Sequence, residues 1–442
     1  MAKSNGKTYA DADFGDLKQA AIDHLWIPFT QYNDLLSKGG PKVIVEGDGI
    51  RMTDSEGKSY IDAIGGLFLV NVGHGRTEIA EAVADQLSAV HYANTFMYPA
   101  VPTIRLAEKL AELAPGDLDR VFLASGGSEA VDTALKIIRQ YHVNNGEPRR
   151  TKFIARRGSY HGVSMGALSM NSSPVVHRDI WDPMLINTKF VGETAEDVEE
   201  TIKFEGPETI AGFITEPISV PKGMKVPDDD YWPKVREICD RYGVLMVADE
   251  VITGFGRTGK MFAMEHWNVT ADLMTFAKGV TSGYQPVGGV MVTPKVYDAF
   301  IGDADKTFTH GYTYSGHPAG AAAALVNLDI IERENLVQNS AETGAYLKGQ
   351  LETLKEHSMV SEVHGTGLLL SVEMMEDKAT GKPFEKGAPK LKKLVQELEN
   401  RGMLTRTEPY LYLAPPLTLT REEADEIVSI IDESLTVVEQ EA

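Results

Sequence analysis

The chain has 442 residues, 43% of them hydrophobic, which is enough for a large buried core and too apolar for a disordered polymer. Its formal net charge of -21, from 64 acidic and 43 basic residues, has the wrong sign for electrostatic adhesion to nucleic acid or to an anionic membrane. A single cysteine, Cys239, excludes an intrachain disulfide and a cysteine zinc site, and fits a reducing compartment.

The opening stretch MAKSNGKTYADADFGD is polar and acidic and lacks the apolar segment of a secretory signal. No apolar run reaches the ~20 residues that span a bilayer, so the expected location is cytoplasmic. The 11 histidines show no HExxH spacing, and no metal is expected.

Between residues 20 and 70, KVIVEGDGIRMTD and YIDAIGG read as strands that pack on a later part of the chain. From about 118 to 295, the apolar runs RVFLAS, KFIARRG, IAGFITEP, VLMVADE, LMTFAKG and GGVMVT alternate with amphipathic helical segments. That alternation predicts a mostly parallel sheet covered by helices on both faces, hence an α/β fold. Beyond about residue 330 long helices dominate, with two short strand-like pieces, GLLLSVEMM and LYLAPPL. The expected division is an N-terminal segment 1–70, a large domain 71–330 and a smaller α+β domain 331–442.

Several runs end in residues that chemistry uses. Ser125, Glu216, Asp249 and Lys278 all fall at or just past the carboxyl end of a predicted strand, where open α/β sheets bind their ligands. Lys278 is the oddest of them, because an ammonium is rarely buried without a partner. An edge strand or a solvent-facing lysine is the alternative reading of that run taken alone.

GFGRTGKM, residues 254–261, matches GxGxxG and most of a phosphate-loop pattern. Met261 replaces the hydroxyl residue of the phosphate loop, and no long helix follows, so both nucleotide readings are rejected. VFLASGGSEAVDTALK is a better anion site: a strand leads through small residues into a helix whose N-terminal N–H groups point outward. An ordinary helix capped by Ser128 explains the same residues. Asp249, ending VLMVADE, has the permanent charge that a cationic heterocycle requires.

LMVADEVITGFGRTGKMFAMEHWNVTADLMTFAKGV, with SGGSEA upstream and HGYTYSGHP downstream, resembles the class III aminotransferases. These are fold-type I enzymes that use pyridoxal 5'-phosphate (PLP). The resemblance runs from LWIPF near residue 26 to APPLTLTREEADEI near 425. It implies that Lys278 forms the Schiff base with PLP and moves the substrate proton, while Asp249 pairs with the ring nitrogen. It implies a phosphate site at Gly127 and Ser128, completed by Thr313 from a neighbouring subunit, and therefore a homodimer with shared active sites. Pairing of dimers into tetramers is left open. Tyr160 and Val251 would close the two faces of the ring; His161 and Glu216 fall in the same cofactor set, the latter without an assigned role.

The resemblance also narrows the substrates to small molecules, an amine donor and an oxo-acid acceptor. Arg406 matches an arginine that binds a substrate carboxylate bidentately. Family members acting on ω-amino acids carry a second glutamate shortly after the EPI motif, where this chain has Pro221. The closest likeness is thereby to the amine:pyruvate group, in which Phe68, Phe96, Tyr160 and Tyr312 match aromatic pocket positions. The expected reaction is transamination to pyruvate in two half-reactions through pyridoxamine phosphate. A decarboxylase or aminomutase on the same scaffold would share Lys278 and Asp249.

Overall fold

The computed structural model describes residues 14–440, apart from 177 and 386. The polar N-terminal stretch 1–13 therefore lies outside the described residues. A strand hairpin begins the chain's sheet structure: β1 (Ile44–Asp48), β2 (Arg51–Asp54) and β3 (Ser59–Asp62) pair antiparallel in sequence order.

The central sheet has seven strands: β4 (Arg120–Ala124), β5 (Lys152–Arg156), β6 (Thr188–Val191), β7 (Ile210–Thr215), β8 (Leu245–Asp249), β9 (Leu273–Phe276) and β10 (Gly288–Val292). Their spatial order is β4-β10-β9-β8-β7-β5-β6, and only β10 runs antiparallel to its neighbours. The six runs read from sequence form six of these strands. The seventh, β6, is an edge strand whose TKFV buries only Val191, so its apolar signal is weak.

Alternation along β8 shows why the sheet holds two layers. Leu245 and Val247 pack with Val131, Ala134 and Ile138 of the helix Gly127–Asn144, whereas Met246 and Ala248 pack with Trp232 and Val235 of the helix Tyr231–Tyr242. Both faces are covered, so the strand is apolar throughout until Asp249.

A third sheet follows, formed by β11 (Val360–Thr366), β12 (Leu369–Asp377), β13 (Lys382–Pro383) and, paired on β12, β15 (Tyr410–Leu413). The short strand β14 (Met403–Leu404) instead joins β3 in parallel, so the N-terminal hairpin pairs with a strand from the C-terminal part of the chain. One apolar cluster unites Ile50 and Ile61 with Phe255 and Phe276 and with Leu370, Leu413 and Ile431. The loops at the carboxyl edge of the central sheet are thereby held against both smaller sheets. No helix among the described residues is long and apolar enough to cross a membrane.

The rejected nucleotide motif has a structural explanation. Arg257, fully buried, donates to the Leu368 and Pro415 carbonyls and, at 2.7 Å, to Asn71 Oδ1. The loop's glycines allow close approach: a Cβ on Gly256 would lie 2.9 Å from Leu417 Cδ1, and one on Gly259 2.9 Å from the Ala341 Cβ. This loop fastens three parts of the chain together.

Candidate active site

Asp249 is only 4% exposed at the end of β8, and a buried carboxylate must be paired. Its Oδ1 accepts from the Val251 N–H at 3.2 Å and from the Thr275 hydroxyl at 2.9 Å. Its Oδ2 lies 2.6 Å from His161 Nδ1. Thr275 sits opposite Asp249 in the β8–β9 ladder, so sheet register alone delivers its hydroxyl.

Lys278 follows just past the end of β9, in a left-handed backbone conformation with φ of 49°. For a residue with a Cβ this conformation costs about 1 kcal/mol, and surrounding structure must impose it. The next residue shows how. A Cβ on Gly279 would lie 2.5 Å from Asn71 Nδ2, and Asn327 Nδ2 donates to the carbonyls of Gly279 and Val280 at 2.9 and 3.0 Å. Asn71 is itself held by Arg257, so the fastening loop also supports the lysine turn.

Protein surrounds the Lys278 amino group except toward a cavity. Burial pushes its pKa down from 10.5 to about 8; the negative charge of Asp249 resists the fall, and the positive charge of Arg406 adds to it. His161 moves the other way. Its complete burial disfavours charge, but the Asp249 hydrogen bond and the charge of Glu216 outweigh this and raise it above its ordinary value.

The helix Gly127–Asn144 opens beside these groups, and its cap is Gly126 rather than Ser128. Ser128 Oγ instead accepts from the Val163 N–H at 3.0 Å, tying the helix start to the loop after β5. The contacts are close: a Cβ on Gly162 would lie 2.4 Å from Ser128 Oγ, and one on Gly127 3.0 Å from Val251 Cγ1. Glu129 Oε2 accepts from the Ser125 N–H at 2.8 Å. First-turn N–H groups of a helix have no partners within it, and here they border the cavity.

The cavity has a volume of about 180 Å³. It brings together Gly127, Ser128, Tyr160, His161, Glu216, Asp249, Val251 and Lys278, all read from sequence, and adds Leu67, Gly162, Ile218, Val220 and Ile252. Glu216 is fixed from several sides: Oε1 accepts from the Tyr160 N–H at 3.0 Å and the Ser219 hydroxyl at 3.1 Å, and Oε2 from the Thr215 hydroxyl at 3.3 Å. Wider concavities of about 540 to 670 Å³ occur elsewhere, but none is lined by a lysine with a depressed pKa.

The remaining five expected residues do not line the cavity. Phe68 is buried at 6% exposure with its ring edge-on to Tyr412, while its neighbour Leu67 reaches the cavity. Phe96 is 63% exposed, against Gly311. Thr313 is exposed, with its carbonyl accepting from the Tyr92 hydroxyl, and the Tyr312 hydroxyl donates to the Glu129 carbonyl at 3.2 Å. Arg406 is exposed too, yet its charge reaches both Lys278 and Tyr160.

Thr275 and the apolar wall of Ile218 and Val220 were not singled out in the sequence. Thr275 lies in the MTFAKGV run, and Ile218 and Val220 fall in EPISV shortly after Glu216.

The donor set suits PLP. An amine of lowered pKa and a buried carboxylate share one cavity, a glycine-rich helix start offers N–H groups to a phosphate, and Tyr160 provides a flat wall. His161 Nε2 is buried and makes no hydrogen bond among the described residues, leaving the imidazole tied to Asp249 alone.

Comparison with known proteins agrees. The class-III aminotransferase family model matches residues 37–435, and the chain belongs to that family. The (S)-enantioselective omega-transaminase of Thermomicrobium roseum superposes with a TM-score of 0.90 at 42% identity, over 96% of this chain and 98% of that one. The omega-transaminase of Pseudomonas jessenii in complex with PMP superposes with a TM-score of 0.91 at 33% identity, over 96% and 98%. The putrescine–pyruvate aminotransferase of Pseudomonas aeruginosa is 36% identical over 429 residues, covering 92% of this chain and 93% of that protein. The protein is thus a fold-type I aminotransferase that uses PLP and acts on small molecules.

Proposed function

We propose that this enzyme transfers an amino group from an ω-amine or amino acid donor to pyruvate or a similar oxo acid, in two half-reactions. The observation that carries this reading is Lys278, held at a pKa of about 8 across one small cavity from the buried Asp249. Relatives that transfer to pyruvate, and Pro221 in place of a second glutamate, support the acceptor.

When bound, PLP supplies an aldehyde that links to amino groups and a ring that accepts electrons from the carbon losing its proton. Lys278, uncharged in a useful fraction of molecules near neutral pH, takes the proton from the substrate carbon and returns it. Asp249, held by Thr275 and the Val251 N–H, would pair with the ring nitrogen. The Gly127 and Ser128 N–H groups would hold the phosphate, and Thr313 of a second subunit would complete that site. Tyr160 and Val251, both lining the cavity, would hold the ring between them. Arg406 binds the carboxylate of the oxo acid, while Phe68, Phe96 and Tyr312 shape the donor pocket once two subunits join. The acting form is a cytoplasmic homodimer, with residues 71–330 carrying the cofactor.

Borohydride reduction of the holoenzyme followed by peptide mapping tests the assignment. Cofactor fixed on Lys278 is the expected result, and a label on another residue refutes it.

A further inference from the structure

Burying Asp249 beside a ring nitrogen solves one charge problem and leaves another. Its Oδ1 is engaged by Thr275 and the Val251 N–H, and its Oδ2 is engaged by His161 at 2.6 Å. The imidazole is completely enclosed, and its other nitrogen points toward a second carboxylate, with Nε2 4.0 Å from Glu216 Oε2. That separation is an ion-pair distance without a hydrogen bond. An isolated imidazole in such a place would be neutral, with Nδ1–H toward Asp249.

Two features argue otherwise. The backbone on both sides of the ring is fixed: the His161 N–H donates to Asn171 Oδ1 at 2.5 Å, and Asn171 Nδ2 donates to the Gly162 carbonyl at 2.6 Å. Glu216 has its Oε1 saturated by the Tyr160 N–H and Ser219, leaving Oε2 to face the ring with only the Thr215 hydroxyl at 3.3 Å. Arg156, whose charge opposes charging of His161, donates to the Glu216 carbonyl.

We propose that His161 is a positioning residue that works as a buried imidazolium between Asp249 and Glu216, fixing Asp249 as an ionised acceptor toward the cofactor ring. This rests on the assignment of Asp249 to the ring nitrogen. Asp249, His161 and Glu216 then carry one net negative charge, which a protonated ring neutralises. Glu216 gains a reason to be charged at the end of β7: without it, His161 reverts to the neutral form and Asp249 loses a charge-assisted hydrogen bond.

The test uses the full-length holoenzyme labelled with ¹⁵N-histidine, with the His161 resonance assigned from its loss in His161→Gln or, should that variant not fold, His161→Asn. Both ring nitrogens should be protonated at pH 7, where an ordinary histidine is mostly neutral. In Glu216→Gln the same resonances should titrate at lower pH. A neutral His161 at pH 7, or an unchanged titration in Glu216→Gln, overturns the proposal. The dissociation constant of PLP gives a second readout, expected to weaken roughly 10- to 100-fold in His161→Gln. If Asp249→Asn binds PLP as tightly as the natural chain, the ring-nitrogen assignment fails and the proposal with it, whereas a neutral His161 refutes the proposal and leaves that assignment standing.

Discussion

Lys278 offers the sharpest quantitative prediction. With a pKa of about 8, about 9% of its amino groups are uncharged at pH 7; at the ordinary 10.5 the fraction is about 0.03%, so the site gains about 300-fold in reactive amine. Two neighbours set this value in opposite directions, which gives paired perturbations. Asp249→Asn removes the attraction that favours the ammonium and should lower the pKa further. Arg406→Gln removes the repulsion that disfavours it and should raise the pKa. The assay is the rate at which an amine-reactive reagent labels Lys278 in cofactor-free enzyme across pH, quantified by peptide mass spectrometry against an exposed lysine such as Lys225. The rate midpoint should fall near pH 8 and move down in one variant and up in the other. A midpoint at or above pH 10, or shifts of the same sign, would refute the electrostatic account.

The same lysine destabilises the cofactor-free fold. Its folded pKa lies below its unfolded value, so the cost is fully present below about pH 8 and disappears as pH rises through 10.5. Lys278→Met should therefore unfold later in urea at pH 7, by about 2–3 kcal/mol, while losing transamination. Gly162→Ala should lower Tm and weaken PLP binding, because the new Cβ would lie 2.4 Å from Ser128 Oγ at a φ of 111°; equal Tm and affinity would contradict the tight helix start. Arg257→Ala should cost at least about 3 kcal/mol in chemical denaturation, since it removes three buried hydrogen bonds from a charged donor. If the phosphate site spans two subunits as proposed, Thr313→Ala should weaken PLP binding, measured by equilibrium dialysis alongside sedimentation; unchanged affinity would remove this residue from the phosphate site.

Much of the site was legible because β7, β8 and β9 lie side by side and each ends at or just before a usable residue, whereas Ser125 follows β4, beyond β10, and does not line the cavity. Asp249 ends β8 and Lys278 follows the adjacent parallel strand β9, and Glu216 follows β7 on the other side of β8. What escaped the sequence depends on loops and on distance. Nothing local in EPISV marks Ile218 and Val220 as cavity wall rather than core. Ser128 reads as a cap by composition, but the extended Gly126 starts the helix earlier and releases the hydroxyl to Val163. Strand β6 was missed because an edge strand need bury only one side chain. Phe68 shows the finest limit: with φ of 61° its ring turns into the core and Leu67 faces the cavity, a choice no periodicity encodes.

The account's central claim is that the enzyme stores an amino group between two half-reactions. Donor amine alone should convert the visible absorbance of the bound cofactor to that of its aminated form, releasing one equivalent of ketone or aldehyde per active site, and pyruvate should then restore the original spectrum and yield alanine. Turnover of the donor to carbon dioxide, or an unchanged spectrum across a panel of amines, would contradict it.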